Sequence, residues 1–197
     1  MRILSLAAGL TLGLATAVSA ASIPASGKLD FDVVRKGSDI GDHSYRFSGS
    51  GDALTVNVNT DIMVKVPIIR TTAYSFKHQS VESWQNGKLT SVRSATNDDG
   101  TPHQLATGGN GVLPASLWND DILRAGKLLN TIDGHLMQIR VSDMGTEQVA
   151  TKRGTVAAHH YRISGDLNRD LWYDADGSLA HVSFTADDGS TVTYVRK

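Results

Sequence analysis

From Leu54 to Val66 the chain alternates without a break. Leu54, Val56, Val58, Thr60, Ile62, Val64 and Val66 fall on one side; Thr55, Asn57, Asn59, Asp61, Met63 and Lys65 fall on the other. A period of two is that of a β-strand, because successive side chains point to opposite faces of a sheet. Thirteen residues is well beyond the usual five or six. A strand this long with one apolar face suits a strongly curved sheet or a barrel, and few other folds accommodate it.

The rest of the chain supplies partners for such a strand. Asn86-Gly87 separates a long β-forming run, Thr71 to Gln85, from Lys88 to Val92, and Asn-Gly between two such runs marks a tight hairpin. Lys36-Gly37-Ser38-Asp39, Ser48-Gly49-Ser50-Gly51-Asp52 and Asn97-Asp98-Asp99-Gly100 read as further turns. Pro67, lacking a ladder donor, interrupts the long strand. Asp176-Gly177 and Asp188-Gly189 punctuate a terminal antiparallel meander. Within it Ala180, Val182, Phe184 and Ala186 form an expected buried face, against a mixed face of Leu179, His181, Ser183 and Thr185. Strands are also expected over 135–141, 147–151 and 156–164. No helix of ordinary length has a 3.6-residue period. The reading is a single all-β domain over 29–197 of about eleven strands, a half-barrel or barrel meander. One irregular or short-helical insertion lies near 107–131, and a polar lead-in covers 21–28.

Arg2, an apolar run from Ile3 to about Ala17 and the small residues Val18 and Ala20 have the order of a secretory signal peptide, cut before Ala21. The expected location is the periplasm, with no integral span after cleavage. Nineteen basic against twenty acidic residues give a net charge of −1. That balance lacks the basic footprint of a nucleic-acid binder. The chain has no cysteine, which removes disulfide staples and thiol nucleophiles.

Candidate chemistry is thin. The seven histidines show no HExxH spacing, and His159 and His160 are adjacent in a strand, so they point to opposite faces. His43, His78, His103, His135 and His181 are scattered. No metal or cofactor is expected. Asp174-Ala175-Asp176-Gly177 lacks the later ligands of a calcium loop, and Gly108-Gly109-Asn110-Gly111 lacks the Lys-Ser/Thr ending of a phosphate loop. No Gly-x-Ser-x-Gly elbow occurs. Asp98-Asp99, Asp120-Asp121 and Asp187-Asp188 are carboxylate pairs in or near polar turns.

The aromatic residues carry more. Trp84 precedes the Asn-Gly turn, Trp118 lies in Pro114-Ala115-Ser116-Leu117-Trp118-Asn119, and Trp172-Tyr173 precedes Asp174. Trp118 is expected either as a lid over a pocket or as a seal at one open end of the sheet. With His160 these residues (Pro114, Trp118, Asn119, Trp84, Trp172 and Tyr173) form the candidate ligand-binding set.

Four motifs occur together: V-x-x-x-G-x-x-I-G-x-H (Val33 to His43), E-x-W-x-x-G-x-L (Glu82 to Leu89), P-x-S-x-W-N (Pro114 to Asn119) and L-W-Y-D-x-x-G-x-L with D-G-S-x-x-x-Y (Leu171 to Tyr194). Their combination resembles an uncharacterised family of small exported bacterial β proteins, a domain of unknown function. The resemblance implies a periplasmic antiparallel β protein and carries over no catalytic residue. A looser likeness is to periplasmic lipoprotein-carrier half-barrels, which hold acyl chains against an apolar concave face.

Four functions are compatible with this reading, the most remote being an outer-membrane barrel, for which aromatic girdles are sparse. The first is a non-catalytic carrier for an apolar ligand of the lipid, isoprenoid or quinone class. The second is an envelope protein with a filled core that works through a protein partner. The third is an envelope hydrolase using His160, Asp120 or Asp121.

Overall fold

The computed structural model describes residues 23–50, 52–65 and 71–197. The signal segment 1–20 and the break at Pro67 lie outside the described residues. Thirteen strands form one sheet: β1 (Lys28–Arg35), β2 (Ser38–Ser50), β3 (Ala53–Lys65), β4 (Thr72–Gln85), β5 (Lys88–Asp98), β6 (Thr101–Gly108), β7 (Leu113–Pro114), β8 (Lys127–Leu129), β9 (Leu136–Thr151), β10 (Gly154–Gly165), β11 (Arg169–Asp174), β12 (Leu179–Thr185) and β13 (Thr191–Arg196). The spatial order is β6-β5-β4-β3-β2-β1-β13-β12-β11-β10-β9-β8-β7. Two meanders are thus joined where the first strand pairs with the last, Phe31 opposite Arg196. All pairings are antiparallel except β7 with β8.

Local chemistry explains the hairpins. Lys36-Gly37, Asn86-Gly87 and Asp99-Gly100 each take positive φ at both residues. That is the type I′ geometry whose twist matches the flanking strands. The expected thirteen-residue strand is present, one residue earlier than its apolar pattern, as β3.

The sheet curls without closing. Its edges, β6 and β7, are consecutive in sequence, and the segment between β8 and β9 lies against the β5–β6 side. Ser94 Oγ donates to Thr131 O at 2.5 Å, and Gly134 sits against the Leu105 side chain. The concave side holds the main core: Phe31, Tyr45, Val56, Trp84, Trp118, Ile122, Leu128, Ile163, Leu171 and Leu179 are all buried in it.

Two expectations are adjusted. The 142–146 stretch reads as a polar break, yet β9 runs through it, and a register shift between His160 and Tyr161 absorbs the irregularity opposite Asp143 and Gly145. The far part of the β9–β10 hairpin then folds against the convex side of the terminal strands, where Lys152 N donates to Arg196 O at 2.8 Å. In β12 the face assignment also changes. Leu179 joins the main core and Ala180 the convex cluster with Val149, Ala158 and Trp172. A bulge between Trp172 and Tyr173 shifts the phase there.

Candidate functional site

At one end of the half-barrel the chain plugs itself. The insertion expected near 107–131 holds β7, a 3-10 turn at Asp120–Arg124 and β8. Pro114 pairs with Leu129, and Ala115 N donates to Leu129 O at 3.0 Å. Leu117 then takes φ of 68°, a left-handed conformation that costs a bulky residue free energy. Neighbouring hydrogen bonds hold it: Tyr45 donates its hydroxyl to Ser116 O, and Tyr173 Oη donates to Leu117 O at 2.7 Å. Asn119 caps the 3-10 turn, its Oδ1 accepting from Asp121 N at 2.9 Å. These constraints drive Trp118 inward to 1% exposure, edge-on to Trp84 at 5.4 Å and to Phe47 at 5.2 Å.

Beneath the two indoles lies Glu82, fully buried. Its Oε2 accepts from Trp118 Nε1 at 2.9 Å and Trp84 Nε1 at 3.1 Å. Burial pushes this carboxyl up, and donors from Ser116, Trp118 and Trp84 offset part of that. Burial without a nearby cation favours the protonated form, the indole donors favour the ionised one, and in either form the carboxyl anchors the plug.

His160 and Trp172 lie elsewhere, on the convex side. Their rings stack at 4.3 Å. His160 Nε2 lies 2.8 Å from Asp170 Oδ1, and its Nδ1 lies 3.3 Å from Glu147 Oε1. Trp172 Nε1 donates to Glu147 Oε1 at 2.6 Å. The cluster pins the folded-over hairpin to β10 and β11, and both imidazole nitrogens are engaged.

Of the seven expected site residues, Pro114, Trp118, Asn119, Trp84 and Tyr173 therefore gather at the plug, while His160 and Trp172 do not join them. Asp120 and Asp121 sit on the plug as well, in the 3-10 turn, whereas His160 packs with Trp172, Glu147 and Asp170. Burial raises the Asp120 carboxyl, with a contribution from the Asp121 charge. The three hydrolase candidates are not assembled. Among the described residues, no group of three His, Asp or Glu is arranged to hold a metal.

The opposite end is built differently. Across β2 to β6 the register sets His43, Thr60, His78, Thr96 and His103 in one lateral row. His43 Nδ1 pairs with Thr60 Oγ1 at 2.7 Å, and His78 Nδ1 with Thr96 Oγ1 at 2.7 Å. Burial holds His43 down to about 3, with the charge of His78 adding to it, and His78 down to about 4. Both imidazoles are neutral near pH 7. Beyond this row toward the rim, Val33, Ile62 and Val192 make a buried floor, and Ile40, Val64, Phe76, Phe184, Ala186 and Tyr194 pack on it only half-buried.

Arg169 belongs to this end. It is opposite the buried Ile163 and in phase with Leu171 and Tyr173, so it faces inward. Its guanidinium lies 3.9 Å over the Phe184 ring. Sequence reasoning missed Arg169, although the period of two through Leu171 and Tyr173 carries its direction.

The sequence profile of a domain of unknown function, DUF6134, matches residues 31–197. No curated protein matches the chain. In shape it is similar to a β-barrel-like protein of another domain of unknown function, DUF1849, from Brucella abortus, known from its crystal structure. The TM-score is 0.52 at 10% identity, covering 86% of this chain and 94% of that one. At that identity the likeness concerns the fold alone. No helix among the described residues is long and apolar enough to cross a membrane.

Proposed function

The chain belongs to the DUF6134 family, a domain of unknown function, and from that premise we propose that it is a non-catalytic binding module of the cell envelope. It carries an apolar ligand of the lipid, isoprenoid or quinone class in the half-barrel. The site is the end opposite Trp118 rather than the plug. The observation that supports this reading is an asymmetry between the two ends. Around the plug, Tyr45, Trp84, Trp118 and Tyr173 are all below 5% exposure. At the other end six apolar side chains stay half-buried above an apolar floor. Apolar surface left half-exposed is costly against water, and covering it with a ligand recovers roughly 25 cal/mol per Å². The signal-like segment 1–20 supports placement in the exported compartment.

The test is native mass spectrometry with organic extraction on protein purified gently from that compartment. A stoichiometric apolar adduct, lost when Phe184 is replaced by Glu, is expected. A clean apo mass from protein that has met no detergent would overturn the reading. It would favour the filled-core interaction protein, for which β6 offers an unpaired sheet edge.

A further inference from the structure

Resting on that reading, we propose that the ligand carries a single negative charge, a carboxylate on an alkyl or prenyl body, and that Arg169 reads it. Among the described residues Arg169 has no acidic partner. Its one hydrogen bond runs from Nη1 to the neighbouring Asn168 O at 2.8 Å. Every carboxylate that its position suggests as a partner is engaged elsewhere. Asp166 accepts from Gln138 N at 2.8 Å. Asp170 is held by His160 and Arg162 on the opposite face. Asp188, on the β12–β13 turn, is taken by Arg35, Lys36 and Ser190.

The guanidinium nevertheless sits on an inward face, and desolvation lowers its pKa. A partly desolvated cation without a counter-ion is costly. The stacking on Phe184 compensates only in part. Two further polar groups face the same space without partners. His43, 7% exposed, has Nδ1 on Thr60 while Nε2 is buried and unbonded. The Tyr194 ring lies 4.9 Å from His43 and 6.0 Å from Phe184, and among the described residues its hydroxyl makes no hydrogen bond.

Among the described residues a single fixed cation stands beside a phenol and a neutral imidazole, which matches a monoanion, and a guanidinium fork matches the two oxygens of a carboxylate. Phe76, Phe184, Ile40 and Val64 supply the apolar wall for the body of the molecule. A phosphate dianion would leave charge unmatched, since Arg35 and Lys36 are already paired.

Decanoate and decanol, which share a chain length, are titrated by calorimetry into the delipidated protein, its Arg169→Gln and its Arg169→Lys variants, with circular dichroism as the check of folding. The wild type is expected to bind decanoate about ten-fold or more tighter than decanol, the scale of one charge-assisted contact. Arg169→Gln should bind both alike, and Arg169→Lys, which keeps the charge but not the fork, should keep only part of the preference. Equal binding of both probes by the wild type, or a preference that survives Arg169→Gln, would overturn the assignment of a carboxylate while leaving an apolar site. Binding of neither probe would overturn the apolar site and the carboxylate together.

Discussion

Acid should destabilise this protein well above the pH at which its carboxylates titrate. The perturbation is a fall from pH 7.5 to 5.0. His43 and His78 are buried at 7% and 6% exposure, each with one nitrogen on a threonine hydroxyl. Their folded pKa values are about 3 and about 4, against roughly 6.5 for an unfolded imidazole. The unfolded chain therefore gains two protons across this window that the folded chain refuses, and stability falls as pH falls. From pH 7.5 to 5.0 each imidazole contributes about 2 kcal/mol of loss, about 4 kcal/mol together. A domain of ordinary stability has only about 5–15 kcal/mol to lose. Glu82 acts in the opposite sense. Its raised pKa lets the folded state hold a proton the unfolded state releases, so its contribution is present in acid and lost as pH rises through the folded value. The imidazoles are isolated by difference. Urea denaturation from pH 7.5 to 5.0 is compared between the wild type and a His43→Gln/His78→Gln variant, using the slope of stability with pH rather than its absolute value. The variant should lose a slope worth about 4 kcal/mol over the window. Identical slopes would refute the reasoning, whatever the variant costs at neutral pH.

Other outcomes follow from the plug and the sheet. Trp118→Ala empties the sealed end and should cost about 3–5 kcal/mol in thermal or urea unfolding; a loss below about 1 kcal/mol would mean the end collapses freely. Glu82→Gln preserves an acceptor for both indoles, so it should cost within about 1 kcal/mol, while Glu82→Ala strands the two N–H groups and should cost about 2–3 kcal/mol more. Equal costs would show that the carboxyl is charged or that the indoles do not need it. Gly41 has φ of 147°, and a Cβ there would meet Asp61 O at 2.0 Å. Gly41→Ala should therefore separate β2 from β3 locally, read as faster amide exchange at Thr60 to Ile62; unchanged exchange would contradict the close approach. Glu147→Gln weakens the clasp on Trp172 and His160, and the β9–β10 hairpin should become cleavable by limited proteolysis near Thr151 to Gly154.

The strands were legible wherever one face is apolar and the turn is Gly-based, which is why β3, the Asn86-Gly87 hairpin and the terminal meander can be read directly. They were not legible where the core is polar. In β4 the inward residues are His78, Ser80, Glu82 and Trp84, while Val81 points out at 41% exposure. Hydrophobicity alone assigns that strand's faces poorly. Only the register beside Val56 puts Glu82 inside. β7 and β8, two and three residues long, are too short for any period to mark. The Pro114–Asn119 motif stood out correctly as an unusual segment. Whether Trp118 seals or gates depended on the carbonyls that Tyr45 and Tyr173 reach from distant strands, and no local pattern encodes those contacts. Nothing local marks Arg169, since a lone arginine near a turn reads as solvated. Its meaning comes from acids that are all committed elsewhere.

On the proposed function, ligand enters the end opposite the plug. The most direct measurement is a map of backbone amide shifts on titrating decanoate into the delipidated, isotopically labelled protein. Saturable shifts are expected at Phe76, Arg169, Phe184 and Tyr194 and their strand neighbours, with Trp118 and its loop unmoved. Shifts centred instead on the open depression of about 370 Å³ lined by Leu54, Ser83, Trp84 and Thr90, or no saturable shifts, would contradict it.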